Sequence, residues 1–453
     1  MNPVIVIPTY WTQQAGQPGS YDHATPVDAP DPELARCLDS LEQVRGVMRT
    51  VVLVTAPPAA QAEARARVDA ICAEHPNLSP LVVGEPEARV IKDAVAVMAP
   101  RLSGEVVSLR GYGAIRNLGL AVAAVLGHDV VVFMDDDEVA LGPTFLVDGV
   151  YALGQLTRQG TPIYAKSGCF IDADGSVLAN EQLPWSDRRW DKNLGFNQWM
   201  RRAQSAVRIS RSNHLCGGCF AVHAEAFARV AFDPYITRGE DLDYLFNLRM
   251  YGLEVWFDNQ WQVQHLPPET PKPASRFRQN VYRWVYEQAK LSAAATRPDL
   301  VQVTASSLMP YPGSYLQEDL GSRVRSTALR RALTARVAVE DRREYLSVWK
   351  DGLADAVANA QRHERSYLQF QSWWPSIVSG LWKEPSIAAL LLSLGSPCGL
   401  PPTPDPTGPI GDSETIPVQA EDALDADADA DADDTAADGL LVDPDDVVPP
   451  EEG

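Results

Sequence analysis

The feature that most constrains this chain is the run Val130-Val-Val-Phe-Met-Asp-Asp-Asp-Glu138. Its five apolar residues are rich in β-branching and too few for a helix. They read as a strand buried on both faces, the kind found inside a parallel sheet. The strand delivers Asp135, Asp136 and Asp137 to its carboxyl end, where open α/β sheets bind their ligands. Adjacent carboxylates repel one another and lose hydration unless a cation neutralises them. Mg2+ or Mn2+ takes oxygen ligands and bridges to phosphates, so a divalent ion carrying a diphosphate is the simplest occupant. A solvated acidic loop leading into a helix at Pro143 is the alternative on this stretch alone.

The flanking sequence alternates strands and helices. Val4 to Ile7 is a short strand ended by Pro8-Thr9-Tyr10. Asp31-Pro32-Glu33 has the cap, proline and first-turn acid of a helix start, and Leu34, Leu38 and Leu41 give it one apolar face. Thr50 to Thr55 reads as a strand, Ala59 to Glu74 as a helix, and Leu81 to Val83 as a third strand. From Gly111 to Leu126, Ile115, Leu118, Val122 and Val125 repeat at helical spacing. Arg116 and Asn117 fall off that stripe near the helix start, where backbone N–H groups favour anions. This alternation predicts a doubly wound sheet. Further on, Ile163 to Lys166 and Cys169 to Ile171 read as strands. Leu215 to Val222 reads as a strand broken by Gly217 and Gly218, which lets a ligand approach the backbone. Glu240, Asp241 and Asp243 crowd the first turn of a helix, and a strand, Glu254 to Phe257, follows, with the stretch Gln262 to His265 after it.

Composition matters mainly for what it excludes. Seventeen of the 60 acidic residues, and none of the 39 basic ones, lie from Pro401 onward. The body before it carries 43 acids against 39 bases and is near neutral, with no positive field for nucleic acid. The Asp-Ala-rich tail has little apolar surface to bury and should be disordered. Six scattered cysteines make no disulfide framework, and Cys216-x-x-Cys219 lacks the second pair that a zinc site needs. The chain starts directly into a strand with no basic leader, and no apolar run reaches membrane-spanning length. A soluble, cytoplasmic protein is the expectation. Residues 181–212 carry six arginines, Lys192 and three tryptophans against three acids. Such a patch, with Trp185 and Arg188 in it, could receive an anionic or sugar-bearing acceptor, or pair its arginines with the body.

Taken in order, these pieces resemble the GT-A glycosyltransferases, particularly the bacterial family 2 type. They are Val-Ile-Pro-Thr-Tyr, Gly-Ala-Ile-Arg-Asn-Leu-Gly, Phe-Met-Asp-Asp-Asp, Cys-Gly-Gly-Cys-Phe-Ala-Val, Arg-Gly-Glu-Asp-Leu-Asp-Tyr and the late His265. The resemblance implies a GT-A fold, a Rossmann-like mixed sheet flanked by helices, over residues 1–270. A helical C-terminal extension over 271–400 and the disordered acidic tail over 401–453 would follow. It implies that Asp135, Asp137 and His265 hold Mn2+ or Mg2+ on a nucleotide-sugar donor, and that Asp241 deprotonates the acceptor hydroxyl with Glu240 positioning it. Pro8, Thr9, Arg116, Asn117, Asp135 and Asp136 then fall on the donor side, and Gly217, Gly218, Trp185 and Arg188 on the acceptor side. The acceptor, a small molecule, a glycan or a lipid-linked sugar, is not implied. The second strand ends Val54-Thr-Ala-Pro-Pro58 without the carboxylates that often read the base in this family, so the nucleotide stays open. Trp373, Trp374, Trp382 and Ile387 to Leu394 read as packing, with a peripheral membrane contact as the alternative. Two rival functions share the chemistry of such a sheet. A sugar-phosphate nucleotidyltransferase would carry a basic glycine-rich loop after the first strand, but Pro8 to Gly19 has no Lys or Arg. The other rival is a non-catalytic nucleotide- or sugar-binding module on the same fold.

Overall fold

The computed structural model describes residues 1–13, 24–267, 273–334 and 337–396. Cys398 and the acidic tail lie outside the described residues. The strands are β1 Pro3–Thr12, β2 Thr25–Pro26, β3 Thr50–Thr55, β4 Pro80–Val83, β5 Val130–Phe133, β6 Glu138–Ala140, β7 Ala165–Ile171, β8 Ile209–Arg211, β9 Phe220–His223 and β10 Trp256–His265. They form one sheet in the order β4-β3-β1-β5-β9-β7-β10-β6, with β2 on β1 and β8 on β10. The half built from β4, β3, β1 and β5 is parallel. β9 runs against both β5 and β7, so the sheet is mixed, and helices cover it as the sequence predicts.

Alternation along the strands explains the two layers. Val4, Val6, Val131 and Phe133 enter one core, while Ile5, Ile7, Val130, Val132 and Met134 enter the other. A period of two sends neighbouring side chains to opposite faces, so apolar runs such as these need cover on both sides. The second core is closed by helices Glu33–Leu41, Gln61–Ala73 and Phe145–Val150. The first takes helices Glu85–Met98, Tyr112–Val125, Lys192–Ser205, Glu240–Met250 and Pro273–Ala294. It continues without a break into Tyr345, Tyr367, Trp374 and Leu391 of the later helices.

Three elements differ from expectation. Residues 163–171 are not two strands: β7 passes straight through Gly168. A β-carbon at Gly168 would run into the backbone of Trp261 on the neighbouring β10, so glycine here permits close strand approach instead of marking a break. The strand expected over 254–257 is β10, Trp256–His265, whose register against β7 shifts between Phe257 and Gln262. The helix expected from Pro143 is only Phe145–Val150. No single described helix is long and apolar enough to cross a membrane, although Trp374–Leu381 and Pro385–Gly395, bent by 78°, would be together. Trp374, Ile377, Leu381 and Leu391 of that pair are buried in the first core.

Candidate active site

The carboxyl ends of β1 and β5 lie side by side, because Val6 pairs with Phe133 in parallel register. Thr9 and the acidic run therefore leave the sheet together, and Thr9 Oγ1 donates to Asp136 Oδ2 at 2.6 Å. From the other layer, helix Tyr112–Val125 brings up Arg116. Its Nη2 donates to Asp135 Oδ1 at 2.7 Å and its Nε to Glu240 Oε1 at 3.4 Å. One guanidinium thus joins the strand end to the first turn of helix Glu240–Met250. It is 5% exposed, lies over the Phe133 ring, and its Nη1 is buried without a hydrogen-bond partner.

The third arm is β10. Its end pairs antiparallel with β6, setting His265 opposite Glu138. Leu266 N donates to Asp137 O at 2.9 Å. His265 Nε2 consequently stands 3.3 Å from Asp137 Oδ2. The sequence 215–219 closes the floor by turning tightly into β9, with Cys219 N donating to Cys216 O at 3.1 Å. Any side chain at Gly218 would strike the buried Glu138 carboxylate, which itself accepts from Asp135 N at 3.1 Å. A β-carbon at Gly217 would sit 3.1 Å from Asp241 Cβ and 3.2 Å from Arg116 Nη2. The two glycines are where backbone must pass within contact of the carboxylates.

The electrostatics are those of a site short of positive charge. Burial, and then the Asp137 charge, push Asp136 well above the usual carboxylate range despite its bond from Thr9. Burial with Asp135 and Asp137 does the same to Glu138. Glu240 is pushed up to about 7, chiefly by burial, with Arg116 opposing and Asp241 and Asp135 adding to the rise. Arg116 is held above its ordinary value: burial opposes its charge, but Asp135 and Glu240 outweigh it.

The expected metal set is assembled only in part. Two ligands bound at right angles to one ion at about 2.1 Å stand about 3 Å apart, close to the Asp137–His265 spacing. Asp135 is turned toward Arg116 instead. Among the described residues, no group of three His, Cys, Asp or Glu side chains is gathered to hold a metal. An oxygen–nitrogen pair beside carboxylates starved of counter-charge nevertheless fits a hard divalent cation whose remaining ligands come from a diphosphate.

Several other sequence candidates sit elsewhere. Asn117 was expected on the donor side. It is sealed instead: Nδ2 donates to Val106 O and Phe232 O, and Oδ1 accepts from Phe232 N. All its bonding capacity goes into clamping two loops. Trp185 is 49% exposed, and neither it nor Arg188 has a hydrogen bond, ion pair or ring contact with the acidic cluster. Their stretch is tied instead to helix Leu320–Ala332, through Arg331 with Asp187 at 2.7 Å and Arg323 with Asp191 at 2.9 Å. Arg201, Arg208 and Arg211 are likewise paired, with Glu181, Asp148 or Asp258, and Glu254. The patch is mostly neutralised internally. Pro8 lies within β1, paired with Leu53.

Of the cations whose charge bears on Asp241, Lys192 belongs to the basic patch already read in the sequence, whereas Arg283 was not singled out. Lys192 opens helix Lys192–Ser205, and Arg283 lies on helix Pro273–Ala294, where a β-carbon at Gly239 would run into its guanidinium. Arg283 looks in sequence like one more residue of an amphipathic helix, and nothing local distinguishes it.

No protein-family model matches this chain, and no curated protein matches it. Solved structures that resemble it include the mannosyltransferase PcManGT from Pyrobaculum calidifontis in complex with GDP-Man and Mn2+. That match has 15% identity and a TM-score of 0.43, over 84% of this chain and 88% of that one. GalNAc-T7 with UDP, GalNAc and Mn2+ matches at 14% identity and 0.41, over 80% of this chain and 57% of that one. A mycobacterial protein matches at 13% and 0.35, over 63% and 74%.

Proposed function

We propose that the chain is a metal-dependent glycosyltransferase, moving a hexosyl group from a nucleotide-sugar donor to an acceptor hydroxyl. One observation carries the reading. Asp137 and His265, distant in sequence, meet at 3.3 Å, beside a guanidinium that joins Asp135 to the first turn bearing Glu240 and Asp241. A strand-end carboxylate pair, a histidine, a buried arginine and an outlying carboxylate suit departure of a diphosphate on one side and activation of a hydroxyl on the other.

In this reading Asp137 and His265 would hold the cation, with Asp135 close by; when bound, the ion supplies positive charge to the departing nucleoside diphosphate. Arg116 adds a second positive charge through its unpartnered Nη1 and fixes Glu240 by its Nε. Thr9 holds Asp136 toward the same end of the sheet. Asp241, in the first helical turn and in contact range of Gly217, takes the proton from the acceptor hydroxyl. Glu240, pushed up to about 7, shares a proton near neutral pH and orients the acceptor. Residues 1–270 would hold the donor chemistry, and the helices after them would buttress it in the cytoplasm.

The test is hydrolysis of a panel of nucleotide sugars with manganese, comparing wild type with Asp137→Ala. Donor breakdown that needs manganese and falls at least about 100-fold in the variant is expected. Equal breakdown by both proteins, or none by either across the panel, would remove the reading.

A further inference from the structure

Asp137 and His265 lie on separate arms, the loop after β5 and the end of β10, so their spacing depends on what ties the arms together. Pairing with β6 supplies part of the tie: His265 stands opposite Glu138, and Leu266 N donates to Asp137 O at 2.9 Å. Helix Glu33–Leu41 supplies the rest. Arg36 and Ser40 are one turn apart on it, so they share a face. Ser40 Oγ accepts from Ala140 N at 3.0 Å, at the far end of β6. Cys37 Sγ donates to Asp135 O at 3.7 Å, where the acidic run begins. Arg36 Nη2 donates to Leu266 O at 3.1 Å, just past β10. One helix therefore touches the chain on both sides of Asp137 and the histidine arm at its tip.

The arginine bond is the one that reaches across. Leu266 is held at its N–H by Asp137 and at its C=O by Arg36, so both main-chain groups of the residue after His265 are tied. The imidazole itself rests on Phe170 of β7, with ring centroids 5.1 Å apart and planes tilted by 59°. Phe170 limits the ring, and the tied main chain sets where the ring starts from. A guanidinium makes a charge-assisted bond to the carbonyl, stronger than one between neutral groups. Contacts behind a metal ligand govern affinity by fixing the direction in which the ligand points.

We infer that Arg36 is a positioning residue for the cation site, holding the tip of β10 so that His265 meets Asp137. The cation's part rests on the glycosyltransferase reading; the hold of Arg36 on the tip stands apart from it.

Two measurements on the full chain test this, and neither needs a sugar. The first is Mn2+ binding by calorimetry. Arg36→Met should weaken it about tenfold, and Arg36→Lys, which keeps a charged donor, should recover most of that loss. Removing a nearby positive charge would by itself tighten cation binding, so a weakening has the sign that positioning gives. The second is amide hydrogen exchange in the metal-free protein. Leu266 N–H should exchange about tenfold faster in Arg36→Met, with the amides of β3 unchanged. Arg67→Met is the control, since Arg67 Nη2 also donates to a main-chain carbonyl, that of Ala29 at 3.2 Å, outside the acidic run and β10. It should match wild type in both measurements. Arg36→Gln takes the methionine variant's place should that one not fold. Leu266 exchange unmoved, Mn2+ affinity unchanged or raised, or equal losses in Arg67→Met would each overturn the inference. Wild type that takes up no Mn2+ would remove the transferase reading instead, and Leu266 exchange then decides alone whether Arg36 holds the tip.

Discussion

Two clusters in this molecule are built from the same residue types and behave in opposite ways. Behind the turn that bears Glu240 and Asp241, Lys290 donates to Asp233 at 2.9 Å, to Asn247 at 3.0 Å and to Asp243. Tyr286 adds a bond to Asp233 at 2.7 Å, and Lys290, Asp233 and Asp243 are fully buried. At the strand ends, Arg116 serves Asp135 and Glu240 but leaves Nη1 unused, and Asp136 and Glu138 lack a cation of their own. The first cluster is closed: the ammonium and both carboxylates are hydrogen-bonded within it, and it locks helix Pro273–Ala294 to helix Glu240–Met250. The second is incomplete, partly open, and held under mutual repulsion. Completeness, more than composition, separates the two charge networks.

The largest effect that would break this contrast is in the closed cluster. Lys290→Ala leaves two carboxylates buried beside each other with no cation, and should cost about 3–5 kcal/mol of stability, read as a lowered urea midpoint. If the variant is as stable as wild type, the cluster is not the lock described. Next comes Asp137→Ala, removing one carboxylate from a repelling set. Activity should fall at least about 100-fold, while the metal-free thermal midpoint stays within a degree or two of wild type or rises. A large loss of stability would make the acidic end structural after all.

The smallest effect is titration of Glu240. Its folded value is raised to about 7 from an ordinary 4.5, mainly by burial. Below pH 4.5 both folded and unfolded chains hold the proton. As pH rises from there to about 7, the unfolded chain releases it first, so stability is lost across that window and levels off above it. In chelator, Glu240→Gln should flatten the fall between pH 5 and 7.5 by on the order of 1 kcal/mol. Identical slopes for the two proteins would show that Glu240 is ionised at both ends of the range.

Much of this arrangement was legible in the residues, for identifiable reasons. β5 and its aspartates could be read because an apolar run too short for a helix ends in three carboxylates, which is how a buried strand opening onto a charged site looks in sequence. Helix Tyr112–Val125 could be read from its stripe, which also pushed Arg116 off the apolar face. The same logic misplaced Asn117, since a polar residue beside Arg116 can as easily clamp loops as meet a ligand. β7 was read as broken and β10 as ending at Phe257 because Gly168 and the polar Asp258-Asn-Gln260 interrupt local alternation. Only the neighbouring strand reveals that the glycine is making room. Of the cations around Asp241, only Lys192 was legible, as a member of the basic patch over 181–212. Lys192, Arg238, Arg276 and Arg283 come from separate segments, and their convergence is a property of tertiary packing.

The slipped register in β10 has a consequence for how this architecture can vary. Its early residues pair with β7 and β8, and beyond the irregularity Gln262 to Gln264 pair with β7 again while Val263 to His265 are zipped to β6, His265 opposite Glu138. The irregularity between Phe257 and Gln262 works as an expansion joint. Extra or missing length on its upstream side can be taken up there without turning the terminal imidazole to the wrong face. Homologous chains should therefore tolerate drift in the connection before Trp256 far better than any change between Gln262 and His265.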